Sequence, residues 1–370
     1  MKNALKIIGY IVGSTFILIV AFLGFRYFPE IRTMTSLTPI EGTNLYTMEF
    51  FSDYKFSDFL KTGAQSNIEY YDYINSMTQS AFPITIIGEE PSQACSAFTF
   101  RDSGGRKYMA RNFDYKPNPV MLLVTSPEDA FTSISTVNLN TIGFNSEKNP
   151  NVLDPELFAA PYFPTDGVNE KGISVSVLQV NFSRKAKESG KKTIGIYAAV
   201  RLILDYADTI DKASELLSEY NIYFDPSFMA HIFVADSKGN SELIEFVNGE
   251  THIIENFVPY QIVSNFNVTE EKLDADGYVH MDEYSNWLRQ PNGKSAYESD
   301  FGTYIRYDYM LDSLYNSSGI MSQTDAFKLL ENVASPTNLQ YSVIYNMTDL
   351  HATVITDNDW DKKITVACRK

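Results

Sequence analysis

Apolar and polar residues alternate over several short stretches of this chain, and each alternation predicts a strand with two differently covered faces. The clearest runs are 95–101 and 107–113, separated by Asp102-Ser103-Gly104-Gly105, a pattern that predicts a β-hairpin. Further strands are expected at 120–125, 131–137, 173–181, 230–236, 242–247 and 260–265, and near 340–346, 351–356 and 363–369. Apolar spacings of three and four predict helices over Ile194 to Tyr206, 302–315 and 324–334, and one capped by Thr209 that runs through Leu217. Residues 46–80 read as helical, with Phe50, Phe51, Tyr54, Phe56, Phe59 and Leu60 on an apolar face. Residues 30–45, rich in Pro, Thr, Ser and Gly, read as a linker. Strands at both ends with helices between them imply an α+β fold of sheets covered by helices.

At the N-terminus, Lys2 and Lys6 precede nineteen uncharged, mostly apolar residues from Ile7 to Phe25 that end at Arg26. That length suits one bilayer span, and no small-residue pair marks a cleavage site. A membrane anchor is expected over 1–29, with a cleaved signal as the alternative. Either places the remainder outside the cytoplasm, membrane-anchored or secreted.

The formal charge of -16 lacks the basic footprint that nucleic acid requires. With 44% hydrophobic residues there is ample material for a core. Only two cysteines occur, Cys95 and Cys368, too few for a disulfide scaffold. The four histidines, His231, His252, His280 and His351, lack metal-ligand spacing. Asp274, Asp276 and Asp282 read as a solvated loop, because Gly277 is misplaced for a calcium hand. No G-x-S-x-G, H-E-x-x-H or phosphate-loop motif is present.

The predicted hairpin puts Cys95 at the start of one strand and Arg111 and Asp114 near the end of its partner. A thiol, a guanidinium and a carboxylate would converge there. A cysteine nucleophile needs a base, and no histidine is placed for that role. If the bond between Ala94 and Cys95 were cut, the new α-amine, with an unperturbed pKa of about 7.7–8.0, would serve. Arg111 would then favour the thiolate, and Asp114 would orient the amine. The alternative is a small core cysteine beside an ordinary ion pair.

Cys95-Ser96-Ala97-Phe98, the hairpin and Arg111-Asn112-Phe113-Asp114 resemble the opening of the choloylglycine hydrolase superfamily of N-terminal-nucleophile amidases. That superfamily includes penicillin V acylases and bile salt hydrolases and, more distantly, the acid ceramidase group. In it an Arg stands sixteen residues after the cysteine and an Asp nineteen after, the separations of Arg111 and Asp114. Asp166-Gly167-Val168-Asn169-Glu170-Lys171-Gly172-Ile173 is similar to the family's D-G-x-N-E-K-G-[LI] segment. Gln179 falls where members place a backbone N–H of the oxyanion hole, and Asn265 in Ser264-Asn265-Phe266 where they place its side-chain donor. Arg306 is the candidate for a second active-site arginine, and Asn169 is read as structural near the site.

The resemblance implies a four-layer αββα sandwich over 95–370, with 30–94 as linker and removable prosegment that ends at Ala94. It implies cleavage of a linear, non-peptide amide in an N-acyl small molecule, with no metal or organic cofactor. An acyltransferase using the same thioester, or an unprocessed membrane-anchored binding protein, are the alternatives. The acyl group, the amine and the oligomeric state are left open.

Overall fold

The computed structural model describes residues 10, 12–15, 22, 24–78, 95–226, 228–256, 258–271, 273, 277 and 302–368. Before Cys95 they form helix α1 (Phe28–Thr35), strands β1 (Thr38–Pro39) and β2 (Leu45–Phe50), and helices α2 (Phe56–Thr62) and α3 (Asn67–Thr78). The chain resumes with β3 (Ser96–Arg101), β4 (Lys107–Asp114), β5 (Val120–Thr125) and β6 (Ser133–Asn138). Two 3₁₀ turns, Leu139–Ile142 and Pro155–Tyr162, lead to β7 (Pro164–Asn169), β8 (Ile173–Gln179) and β9 (Thr193–Gly195). Helices α4 (Ile196–Tyr206) and α5 (Ile210–Ser218) precede β10 (Asn221–Tyr223), β11 (Ala230–Asp236), β12 (Ser241–Val247), β13 (Glu250–Glu255) and β14 (Ile262–Val263). The chain closes with α6 (Gly302–Ser317), α7 (Gln323–Val333), β15 (Leu339–Asn346), β16 (His351–Thr356) and β17 (Ile364–Ala367).

Among the described residues one sheet has nine strands, in the order β1-β2-β5-β6-β7-β8-β11-β12-β13. A second has six, in the order β14-β3-β4-β15-β16-β17. Alternation along each strand assigns its side chains to two cores. On β11, Ile232 and Val234 face the helices α2 to α5, while Phe233 and Ala235 face the other sheet. On β4, Met109 and Phe113 point between the sheets, and Tyr108 and Ala110 pack under α6 and α7. The layering is therefore helices, sheet, sheet, helices, a mixed α+β arrangement.

Local chemistry explains the tight connections. The β3–β4 turn closes through Asp102 and Arg106, with Gly105 at φ 86, a left-handed conformation glycine adopts without strain. Gly172, between β7 and β8, has φ 77, and an added Cβ there would stand 2.7 Å from the Met347 carbonyl oxygen. Ser322 caps α7 in a reciprocal box with Asp325.

Three expectations need correction. The 46–80 stretch does not begin as helix. Leu45–Phe50 is a strand, paired in parallel with β5 from Leu45↔Val120 to Phe50↔Thr125. Tyr46, Met48 and Phe50 enter the helix-side core and Leu45 the inter-sheet core, the period of a strand, while Phe56, Phe59 and Leu60 do lie on helix α2. The linker expected over 30–45 contains most of α1 and the edge strand β1. The strand expected over 260–265 shrinks to two residues, because Ser264–Phe266 turns to meet α6.

Most of the span expected over Ile7 to Phe25 lies outside the described residues, as do Ala94, His280, Asp274, Asp276 and Asp282. Among the described residues no helix is long and apolar enough to cross a membrane, so the anchor finds no support there.

Candidate active site

Cys95 is the residue before β3, 4% exposed, and lies in the inter-sheet core with Ala97, Met109 and Phe113. Ala97 pairs with Arg111 in the hairpin register, so Cys95 and Arg111 project to the same side. Arg111 Nη2 lies 4.0 Å from Cys95 Sγ. Its Nη1 donates to the Thr165 carbonyl at 2.8 Å and to Asp166 Oδ2 at 2.5 Å. The guanidinium also stands 4.8 Å from the centre of the Phe113 ring.

Asp166 is the hub that holds this arginine. Its carboxylate accepts from Tyr341 at 2.6 Å and also from Thr136 and Tyr345. Tyr341 and Tyr345 stand four apart on β15, so both hydroxyls reach the same side of the sheet. Burial alone would lower the Arg111 pKa, but Tyr341, Asp166 and Cys95 outweigh it and keep the group charged. Burial likewise pushes both tyrosines well above their ordinary values, so they act here as neutral donors.

Asp114 lies on the opposite side of β4 from Arg111 and Phe113. Its Oδ1 accepts from the Ser335 N–H at 3.0 Å, while buried Oδ2 has no hydrogen-bond partner among the described residues. Burial lifts this carboxyl to about 7, against the opposing pull of Arg306, Ser335 and Arg111.

Arg306 is buried on α6, its Nε 3.3 Å from Ser96 Oγ and its Nη2 donating to Asn265 Oδ1 at 3.0 Å. Asn265 Nδ2 donates to the Gln179 carbonyl at 2.7 Å, and its backbone N–H to Thr303 Oγ1 at 3.0 Å. A chain of contacts thus runs from Ser96, beside the cysteine, through Arg306 and Asn265 to Gln179. Asn169 has other business. Its amide donates to the carbonyls of Leu204 and Ala207 and its Oδ1 accepts from Lys171 and Ile173, which ties the β7–β8 turn to the end of α4.

The structure therefore gathers Cys95 with Arg111, and Arg306 with Asn265 and Gln179, while Asp114 flanks the hairpin and Asn169 braces a turn. The residues not foreseen as site members are Asp166, Thr136, Tyr341 and Tyr345. Asp166 opened a recognised motif, but nothing local distinguished a buried arginine partner from a turn former. Among the described residues no group of three or more His, Cys, Asp or Glu could hold a metal ion. A cavity of about 590 Å³ lies between α1, β2, β5 and β17, and Cys95 does not line it.

Residues 95–266 match the model of the linear amide C-N hydrolases, choloylglycine hydrolase family. The match begins at Cys95. Among individual proteins, the penicillin V acylase of Pectobacterium atrosepticum is 29% identical over 125 residues, covering 31% of this chain and 33% of that enzyme. That similarity spans about a third of the relative's length. The fold is shared with a mutant conjugated bile acid hydrolase from Clostridium perfringens, at a TM-score of 0.51 and 14% identity. That likeness covers 74% of this chain and 92% of the other.

Proposed function

We propose that the protein is an N-terminal cysteine amidohydrolase that cleaves a linear, non-peptide amide bond in an N-acyl compound. On this reading it becomes active when the bond before Cys95 is broken. The observation that carries it is the placement of the Arg111 guanidinium, anchored on Asp166 and facing the Cys95 sulfur.

In the reaction the Cys95 thiol gives its proton to its own α-amine as the sulfur attacks the amide carbonyl. The oxyanion that forms takes hydrogen bonds from the Gln179 N–H and the second hydrogen of the Asn265 amide. Each such donor contributes about 3–4 kcal/mol to the transition state in comparable sites. The carbon–nitrogen bond then breaks, the departing amine takes the proton from the α-ammonium, and a thioester remains. Water attacks the thioester and returns the thiol. Arg306 holds Asn265 through its Oδ1, so the amide turns its nitrogen, already bonded to the Gln179 carbonyl, toward the site.

Residues 28–78 are built into the fold and would stay with it after cleavage. Strand β2 sits inside the nine-stranded sheet, and the Tyr54 hydroxyl is 2.9 Å from each Asp205 oxygen. The segment 1–29 would hold this assembly at a membrane with the catalytic domain on the extracytoplasmic side. Phe22, Phe25, Phe28 and Ile31 give this end of the chain exposed apolar surface.

Intact mass and N-terminal sequencing of active protein, with a panel of N-acyl amides, test the reading. A new terminus at Cys95 is expected, and Cys95→Ala should abolish turnover and leave the chain whole. Turnover by the alanine variant would overturn it.

A further inference from the structure

Beyond the motif residues, a buried carboxylate on β12 controls the segment that carries Asn265. The Glu245 side chain is wholly buried beside His231 of β11, with His231 Nδ1 3.5 Å from Glu245 Oε1. Glu245 Oε1 accepts the Val268 N–H at 2.7 Å. Its Oε2 accepts the Thr269 N–H at 3.0 Å and the Thr269 hydroxyl at 2.7 Å. One carboxylate therefore binds three donors that lie three and four residues beyond the proposed oxyanion donor.

The same segment is stitched to β8 and its exit. Asn265 reaches the Gln179 carbonyl, and Asn267 Nδ2 donates to the Phe182 carbonyl at 2.8 Å. His231 completes the link from the other side. It pairs with Leu178 in the β8–β11 register, and its neighbour Ala230 pairs with Gln179. His231 and Glu245 thus span the strand that positions one donor and the segment that carries the other. Across β13, His252 pairs with Glu245 in register.

We infer that Glu245, backed by His231, is a positioning residue that holds the Asn265–Thr269 segment at the spacing from Gln179 which an oxyanion hole requires. A carboxylate suits this place because all three of its partners donate, and it accepts through both oxygens. Burial alone would raise the Glu245 pKa, but contacts from His231 and Thr269 outweigh it and hold the group below its ordinary value. It therefore remains an acceptor. A glutamine keeps the shape but turns an NH₂ group toward a donor and loses one or two of the three bonds. The inference rests on the proposed amidohydrolase reading.

The test uses processed full-length protein, with active sites counted by alkylation of Cys95 and turnover expressed per alkylated site. Glu245→Gln should lower kcat by about ten- to a hundred-fold, less than outright loss of a donor, and change KM by less than about three-fold. Hydrogen exchange at Val268 and Thr269 should speed up while the β3–β4 hairpin stays protected. An unchanged kcat per site, or unchanged exchange, overturns the inference. If Glu245→Gln does not fold, Thr269→Val removes only the hydroxyl bond and should still lower kcat about two- to five-fold with KM steady; an unaltered kcat again overturns it. Turnover by the Cys95→Ala control would instead sink the amidohydrolase reading, and the exchange measurement would still judge the positioning.

Discussion

The nine-stranded sheet carries a buried arginine–aspartate pair on each of its faces, and the two pairs are built from similar parts. Toward the second sheet, Arg111 binds Asp166, with side chains at most 1% exposed. Toward the helices, Arg201 binds Asp205 at 3.2 Å, equally buried. Tyrosine and threonine or serine hydroxyls complete both clusters. The difference lies in what the arginine nitrogens do. Arg201 spends them on the Pro161 carbonyl and the hydroxyls of Thr125, Ser133 and Ser135 as well as Asp205. Arg111 anchors one nitrogen on Asp166 and Thr165 and turns another to a thiol. A guanidinium with all its nitrogens committed to the scaffold is a rivet. One held from behind, with a face turned to the thiol proposed as nucleophile, is a tool.

The comparison breaks most sharply when either carboxylate is deleted. Asp166→Ala and Asp205→Ala each strand a buried guanidinium, and urea unfolding should show a loss of about 3–5 kcal/mol for both. Turnover per folded molecule should collapse only for Asp166→Ala. Equal turnover in the two variants would erase the proposed division of labour.

A smaller effect is expected from Tyr54→Phe, which removes a hydroxyl supplied from before Cys95. Stability should fall by about 1.5–3 kcal/mol, the range for a hydrogen bond to a charged group, with turnover per active site unchanged. Loss of β2 and its flanking helices from the purified, processed protein would be the corresponding physical readout.

The gentlest lever is pH. Burial lifts Asp114 to about 7, and it lifts Asp205 to about 6 against Arg201 and Tyr54. Both lie above the value of about 4 for an unfolded aspartate, so between these limits the folded chain binds more protons than the unfolded one. Their contribution is complete below about pH 4 and is lost as pH rises through about 6 for Asp205 and 7 for Asp114. In unprocessed Cys95→Ala protein, Asp114→Asn should flatten the fall in stability between pH 5 and 7.5. An identical slope in both would show that the carboxyl is not raised.

Much of the architecture was legible in advance because it rests on local periodicity. The β3–β4 hairpin, the strands from β15 to β17, and the helices at Ile210 and Gln323 all follow from alternation, a turn glycine or a capping residue. Residues 45–50 misled because Tyr46, Met48 and Phe50 fit an apolar run as well as a strand, and their pairing partner begins at Val120. Asp166 was visible as part of a motif, yet its four partners come from β4, β6 and β15. Glu245 showed no signal at all, since nothing local sets it apart from Glu242 in the same strand.

The amino-acid sequence alone determined the β3–β4 hairpin, the closing strands and the helices at Ile210 and Gln323, and which cysteine stands at motif spacing from an arginine and an aspartate. These depend on backbone geometry and near neighbours. Only the tertiary structure decided that Asp166 holds Arg111, that β2 joins the large sheet in parallel, and that Glu245 tethers the segment bearing Asn265. Those choices are made between residues far apart in the chain, where burial makes every unpaired donor and charge costly and so selects its partner.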